Sequence, residues 1–146
     1  MELIYAELEL INGDDLALVR RNILTEGEIK RIKVKVLVNT SSVMLCINEK
    51  IQEQLQLPVI ERKKIRMADG SVREYDIVAP VELRFKNRRT CCQAIVLPCD
   101  SQSLLGTVAL DDMDILIHSQ TRELVINPDH PYFTQVKIKE CISIEQ

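Results

Sequence analysis

Tryptophan is absent from this chain, and only five aromatic side chains occur, three tyrosines and two phenylalanines. With no basic run to interleave them, that scarcity argues against a nucleic-acid surface built on stacking. No apolar stretch approaches the roughly 20 residues that a membrane-spanning helix needs, so no membrane partner is expected. Met1-Glu2-Leu3-Ile4-Tyr5 has no basic region followed by an apolar one, so no secretory leader is expected either. Metal-binding patterns are missing too. The cysteines (Cys46, Cys91, Cys92, Cys99, Cys141) form no Cys-x-x-Cys, and His118 and His130 lack ligand spacing. An odd cysteine number with adjacent Cys91 and Cys92 points instead to buried or half-buried free thiols in a reducing cytoplasm. Neither a metal nor another cofactor is expected.

What is present is a core. Apolar residues make up 46% of the 146 residues and charged ones 28%, with both signs mixed and a net charge of −3. These values suit one globular domain. Period-two alternation dominates the chain. Ile4, Ala6, Leu8 and Leu10 alternate with Tyr5, Glu7 and Glu9, and Asn12-Gly13 breaks the run. Residues 14–30 fit either a helical stripe (Leu16, Val19, Ile23) or a strand (Leu16, Leu18), and they read as a long hairpin connection. Ile32, Val34, Val36 and Val38 form a second strand that runs into Asn39-Thr40-Ser41-Ser42. After the apolar run from Val43 to Ile47, Asn48 is placed to cap a short helix over Glu49 to Leu55, which Pro58 ends. Ile65 to Ala68 and Val72 to Val78 flank Asp69-Gly70, a strong hairpin-turn dipeptide. Val81, Leu83 and Phe85 predict a further strand before a turn at Asn87, and Cys92, Ala94 and Val96 another. A short helix is expected over Val108 to Asp112. A last hairpin joins Ile115–Ile117 to Leu124–Ile126, and Val136, Ile138, Ile142 and Ile144 alternate again. Many short strands with one or two short helices predict an all-β fold.

The informative segment is Val36-Leu37-Val38-Asn39-Thr40-Ser41-Ser42. It resembles the active-site signature of aspartic proteases, in which apolar strand residues precede Asp-Thr-Gly-Ala. A helix follows it, then a hairpin with tip Ala68-Asp69-Gly70-Ser71, then the apolar-apolar-Gly step Leu104-Leu105-Gly106. This is the order of elements in the retropepsin-like families. The stretch from Ala68 to Asp76, with Asp112-Met113-Asp114, is similar to the single-lobed bacterial type, and the resemblance covers residues 1–131. It implies a closed retropepsin-like β-barrel that pairs across a two-fold axis, with residues 132–146 as a C-terminal extension. A chain with one signature needs a second subunit to complete a two-carboxylate site. In that family Thr40 would lock the two active-site loops together across the axis. Ala68, Asp69, Gly70 and Ser71 would form the flap over a bound peptide, and Leu104, Leu105 and Gly106 would support the loop.

The departure falls at the decisive position. A catalytic dyad shares one proton between two carboxyl groups, one of which activates water. Asn39 stands where the aspartate belongs, and a carboxamide takes no proton from water at useful pH. Losing a general base costs roughly 10²–10⁴-fold. Ser41 stands where the glycine belongs and Ser42 where a small apolar residue does. Asp69 is explained by its turn, and Asp111, Asp112 and Asp114 by solvated capping. Three readings follow. The first is a pseudoprotease, a homodimer that binds a peptide or protein ligand or serves as a scaffold. The second is an active aspartic endopeptidase of which this is an engineered inactive copy or the partner of an intact paralogue. The third is an unrelated small β-barrel interaction domain, for which Asn39-Thr40-Ser41 is an ordinary polar turn. In the first two, Ile4, Leu8, Val34, Val36, Val38, Ile51, Leu55, Leu83, Val96, Leu104 and Leu105 are expected in the core, and Val136 to Ile144 reads equally as a strand on a sheet edge of its own subunit or its partner and as a disordered tail.

Overall fold

The computed structural model describes residues 3–135. The first two alternating segments are β1 (Tyr5–Asn12) and β2 (Arg31–Val38), paired antiparallel with Leu8 opposite Val34 and Leu10 opposite Ile32. Alternation sends Leu8, Leu10, Val34 and Val36 inward and leaves Glu7 and Lys35 in water.

The segment between them departs from the hairpin connection read from the sequence. It folds as helix α1 (Gly13–Arg20) followed by a 3₁₀ turn at Glu26–Glu28. Asn12 caps α1, its side-chain oxygen accepting from Asp15 N at 3.1 Å. Asp14 and Asp15 lie in the first turn and Arg20 in the last, in favourable sense with the helix dipole. Strand β3 (Leu45–Asn48) leads into α2 (Glu49–Leu55), which Asn48 caps through Ile51 N at 2.9 Å. The helix ends before Pro58, where Gln56 turns left-handed at φ 50°. Strand β4 (Val59–Arg66) and the first half of β5 (Val72–Phe85) make the long hairpin. The two strands expected at 72–78 and 81–85 are one, because a register shift between Val78 and Val81 carries β5 past Pro80. A tight turn at Lys86 and Asn87 leads to β6 (Arg88–Leu97). Strand β7 (Leu104–Leu105), helix α3 (Thr107–Met113) and the hairpin β8 (Ile115–His118) with β9 (Glu123–Ile126) follow. The described residues are therefore mostly β, with three short α-helices among them rather than one or two.

Seven strands form one sheet in the order β1-β2-β7-β3-β6-β5-β4. The second half of β5 also pairs with β1, Leu10 opposite Leu83, so the ladder of six strands returns to its start. Its interior holds Leu8, Leu10, Val36, Ile47, Leu55, Val78, Val81, Leu83 and Leu105, all buried. Of the expected core, Leu8, Val34, Val36, Ile51, Leu55, Leu83 and Leu105 are buried. Ile4, Val38, Val96 and Leu104 are only half-buried, because each lies near a strand end. Outside the ring, Glu82 is buried and receives Arg84 at 2.7 Å and Arg89 at 2.9 Å. Burial pushes its carboxyl up, but hydrogen bonds from Arg89 and Arg84 outweigh this and hold it below the usual range.

The thiols correct one expectation. Cys46 is buried and Cys92 half-buried, but Cys91 and Cys99 are exposed. Cys91 alternates outward from Cys92, and Cys99 sits in the loop after β6 with φ 51°. Cys141 and the alternating segment Val136 to Ile144 lie outside the described residues.

Candidate functional site: the loop after β2 and the hairpin β4–β5

Asn39 is the first residue beyond β2, and its backbone remains tied to the sheet. Its N–H donates to Leu105 O at 2.9 Å, just as Leu37 N–H donates to Ser103 O at 2.9 Å. The loop then turns back, Ser42 N–H donating to Asn39 O at 3.1 Å and Thr107 N–H to Ser42 O at 3.0 Å. The loop after β2 is thus sewn to the junction of β7 and α3. Gly106 sits at that crossing. A Cβ there would lie 2.5 Å from Val43 O and 2.8 Å from Ser42 O, so only glycine admits the approach.

Side chains close the loop further. Asn39 Oδ1 accepts from Ser41 N at 3.1 Å and from Ser41 Oγ at 2.7 Å. This self-bonded turn is the usual habit of Asn with Ser two residues on. Ser42 Oγ donates to Met44 O at 3.2 Å. Thr40 is exposed, and its hydroxyl has no partner among the described residues.

The hairpin tip repeats the same side-chain bonds. Asp69 Oδ1 accepts from Ser71 N at 2.9 Å and from Ser71 Oγ at 2.6 Å, and Gly70 takes φ 89°. These bonds from Ser71 hold the Asp69 carboxyl below the usual carboxylate range. Ala68, Asp69 and Gly70 are exposed and Ser71 half-buried.

An apolar cluster joins hairpin to loop. Cys46, Tyr75, Ile77 and Ile95 are buried in it, with Met44, Ile65, Met67, Leu97 and Leu104 packed around them. Ile65, Met67, Tyr75 and Ile77 belong to the hairpin, Cys46 to β3 and Leu104 to β7. Since Leu104 also pairs with Leu37, two residues before Asn39, one packed unit carries both the loop and the underside of the hairpin. Beside it lies a groove of about 300 Å³, walled by Val43, Met44, Leu45, Val108 and Ala109, with Lys63, Cys92 and Gln93 completing it. A larger hollow of about 580 Å³ lies around Glu7, Lys33 and Arg84, toward the other end of β2.

The fold has counterparts among solved structures. The chain matches the crystal structure of the retroviral protease-like domain of Ddi1 from Leishmania major with a TM-score of 0.56. The match covers 88% of this chain and 90% of that one, at 15% sequence identity. The fold is retropepsin-like. No family model matches the sequence, and no curated protein matches it.

The other carboxylates considered from the sequence are engaged elsewhere. Asp112 accepts from the Thr90 hydroxyl. Asp114 does more than cap α3. It receives Asn127 Nδ2 at 3.0 Å, His130 Nδ1 at 2.7 Å and Gln135 N at 3.1 Å. Burial pushes the Asp114 carboxyl up, and those bonds together hold it below the usual range. It thereby pins the strap after β9, which the buried Arg88 also holds through His130 O and Thr134 Oγ1. Asp111 is exposed on α3. Among the described residues no group of three His, Cys, Asp or Glu could hold a metal ion.

Sequence reasoning missed the groove walls. Val43 opens the apolar run to Ile47, yet β3 begins at Leu45 and Val43 is 62% exposed. Val108, 55% exposed, faces the same groove. An apolar residue next to polar loop residues was the available signal in both places, but exposure depends on packing that periodicity does not report.

Proposed function

We propose that this chain is a retropepsin-like aspartic-protease homologue without hydrolytic activity, which pairs across a two-fold axis and holds a peptide or protein segment in the groove between Val43 and Val108, which Lys63 of β4 borders. The returning ladder of six strands supports reading the sheet as a closed barrel. The observation that carries the functional reading is Asn39. A carboxamide stands at the end of β2, and its oxygen is already engaged twice by Ser41. It can neither deprotonate water nor share a proton with a symmetry mate. The groove at Val43 and Val108, whose lining includes neither Asn39 nor the hairpin tip, is apolar and open, which suits side chains of an extended peptide.

The test is repair. In an Asn39→Asp variant the Ser41 hydroxyl would donate directly to the new carboxylate, favouring its charged form and opposing the shared proton of a dyad. That single change is expected to give little activity. Asn39→Asp with Ser41→Gly keeps the backbone donor, removes the hydroxyl and restores close backbone approach. This pair should cleave an unstructured polypeptide substrate with an optimum at acidic pH, because one carboxyl of the dyad must stay protonated. Peptide cleavage by the unmodified protein, blocked by a transition-state analogue of aspartic proteases, would sink the proposal and favour a working endopeptidase.

A further inference from the structure

Strand β4 ends the sheet order, and among the described residues its outer edge faces no other strand. Every residue from Val59 to Lys64 is exposed, as is Arg66, with Ile65 half-buried. Pairing with β5 is regular from Glu61 to Arg66, after a register shift at Ile60. Over these six regularly paired residues, alternate N–H and C=O groups turn outward with no partner among the described residues. Such an edge is a template for another extended chain unless something opposes it.

Charge decides which chain. Within Val59–Arg66, Arg62, Lys63, Lys64 and Arg66 stand against the single carboxylate Glu61, in a protein whose net charge is −3. Lys63 pairs with Glu61 at 3.4 Å and Arg62 with Asp76 at 3.1 Å. Lys64 and Arg66 make no ion pair among the described residues, and alternation puts them on the face that carries Arg62. Two copies of this edge laid side by side would bring like charges together, which disfavours self-pairing. Glu74 and Asp76 lie opposite Lys64 and Arg62 on β5, one strand further in, so an acidic strand on the outer edge meets the basic residues first.

We propose that an extended acidic segment of a partner protein adds to the outer edge of β4 by main-chain pairing, with its carboxylates set against Arg62, Lys64 and Arg66. The ligand is read by its extended backbone and by acidic residues at alternate positions. Lys63 of the same strand lines the groove, but alternation puts it on the face opposite Arg62, Lys64 and Arg66, and the site does not depend on the state of Asn39.

The experiment uses the full chain and a short fluorescent peptide of alternating glutamate and valine, followed by anisotropy. Binding is expected, weakening as ionic strength rises. Lys64→Glu with Arg66→Glu, both exposed, should weaken it roughly tenfold while leaving the melting temperature in place. Hydrogen exchange should show new protection at Glu61 to Arg66 in the complex. A peptide of the same charge with alternate N-methylated amides should fail to bind, since it cannot pair. Equal binding by the N-methylated peptide would overturn the proposal, as would protection centred on Val43 and Val108 instead of β4. No binding of the acidic peptide would overturn it as well.

Discussion

Asn39 and Asp69 make matching side-chain bonds, each with its Oδ1 bonded to the backbone and hydroxyl of the serine two residues on. The central residue differs, Gly70 taking φ 89° where Thr40 keeps φ negative, and so does the side-chain chemistry, amide against carboxylate, which is readable from residue type alone. The Ser41 lock is not, because it depends on how the loop turns after β2. Gly106 is the backbone counterpart. Gly106→Ala sets a methyl 2.5 Å from Val43 O, and backbone cannot yield as a side-chain tip can. The substitution is expected to cost about 1–3 kcal/mol, seen as a lowered melting temperature, and a melt unchanged from the parent would contradict the crossing. The thiols allow a second test. Burial pushes Cys46 up to about 11 and Cys92 up to about 12, so both are neutral thiols at moderately alkaline pH. Among the described thiols, alkylation of the folded protein at about pH 8 should mark Cys99 first and spare Cys46 and Cys92 until unfolding. Site-resolved mass spectrometry reads this, and rapid labelling of Cys46 in the folded state would count against its burial.

Among the elements, α2 was fully legible and α1 was not. Both begin with a capping asparagine, Asn48 and Asn12. Asn48 precedes an apolar pair, Ile51 and Leu55, at helical spacing. Asn12 precedes glycine, and Asn-Gly reads as a turn dipeptide, so the cap was taken for a break. Its contacts are tertiary. Asn12 Nδ2 donates to Leu55 O at 2.8 Å, joining the start of α1 to the end of α2. Buried Asp15 accepts from Lys30 N at 2.9 Å, which fixes the way back into β2. Asn12→Ala removes the cap and leaves a buried carbonyl unpaired, at a cost of about 2–3 kcal/mol by chemical denaturation. A cost under about 0.5 kcal/mol, typical of a surface change, would show that neither bond matters. Strand β5 shows the opposite difficulty. Pro80 reads as a strand end, yet the chain continues through it because the two halves serve different partners, β4 before it and β1 after it.

For the molecule as a whole, the proposed two-fold dimer makes a direct demand. Thr40 is exposed, and its hydroxyl is unpartnered among the described residues, as a group reserved for a contact across an axis would be. An obligate interface of this kind would bury on the order of 2,000 Å² or more. Sedimentation at micromolar concentration should therefore give a dimer, and Thr40→Val should shift it toward monomer without lowering the stability of the subunit. A monomer from the unmodified chain would remove the symmetry on which the groove reading depends. Retention of the dimer in Thr40→Val would place the axis elsewhere.

What the sequence determined by itself is local. Alternation placed β2 directly before Asn39, residue type denied that position a carboxylate, and Asp69-Gly70 marked the hairpin tip. Each of these rests on neighbours within a few residues, the range over which strand period, capping and turn chemistry act. The tertiary structure decided the rest. Leu10 meets Leu83 and Leu37 meets Leu104, and these distant pairings make the ladder return on itself and leave the outer edge of β4 unpaired among the described residues. They also leave Val43 and Val108 at the groove instead of in the core. Burial is a property of what packs against a residue, and here the packing partners come from segments that no local pattern connects.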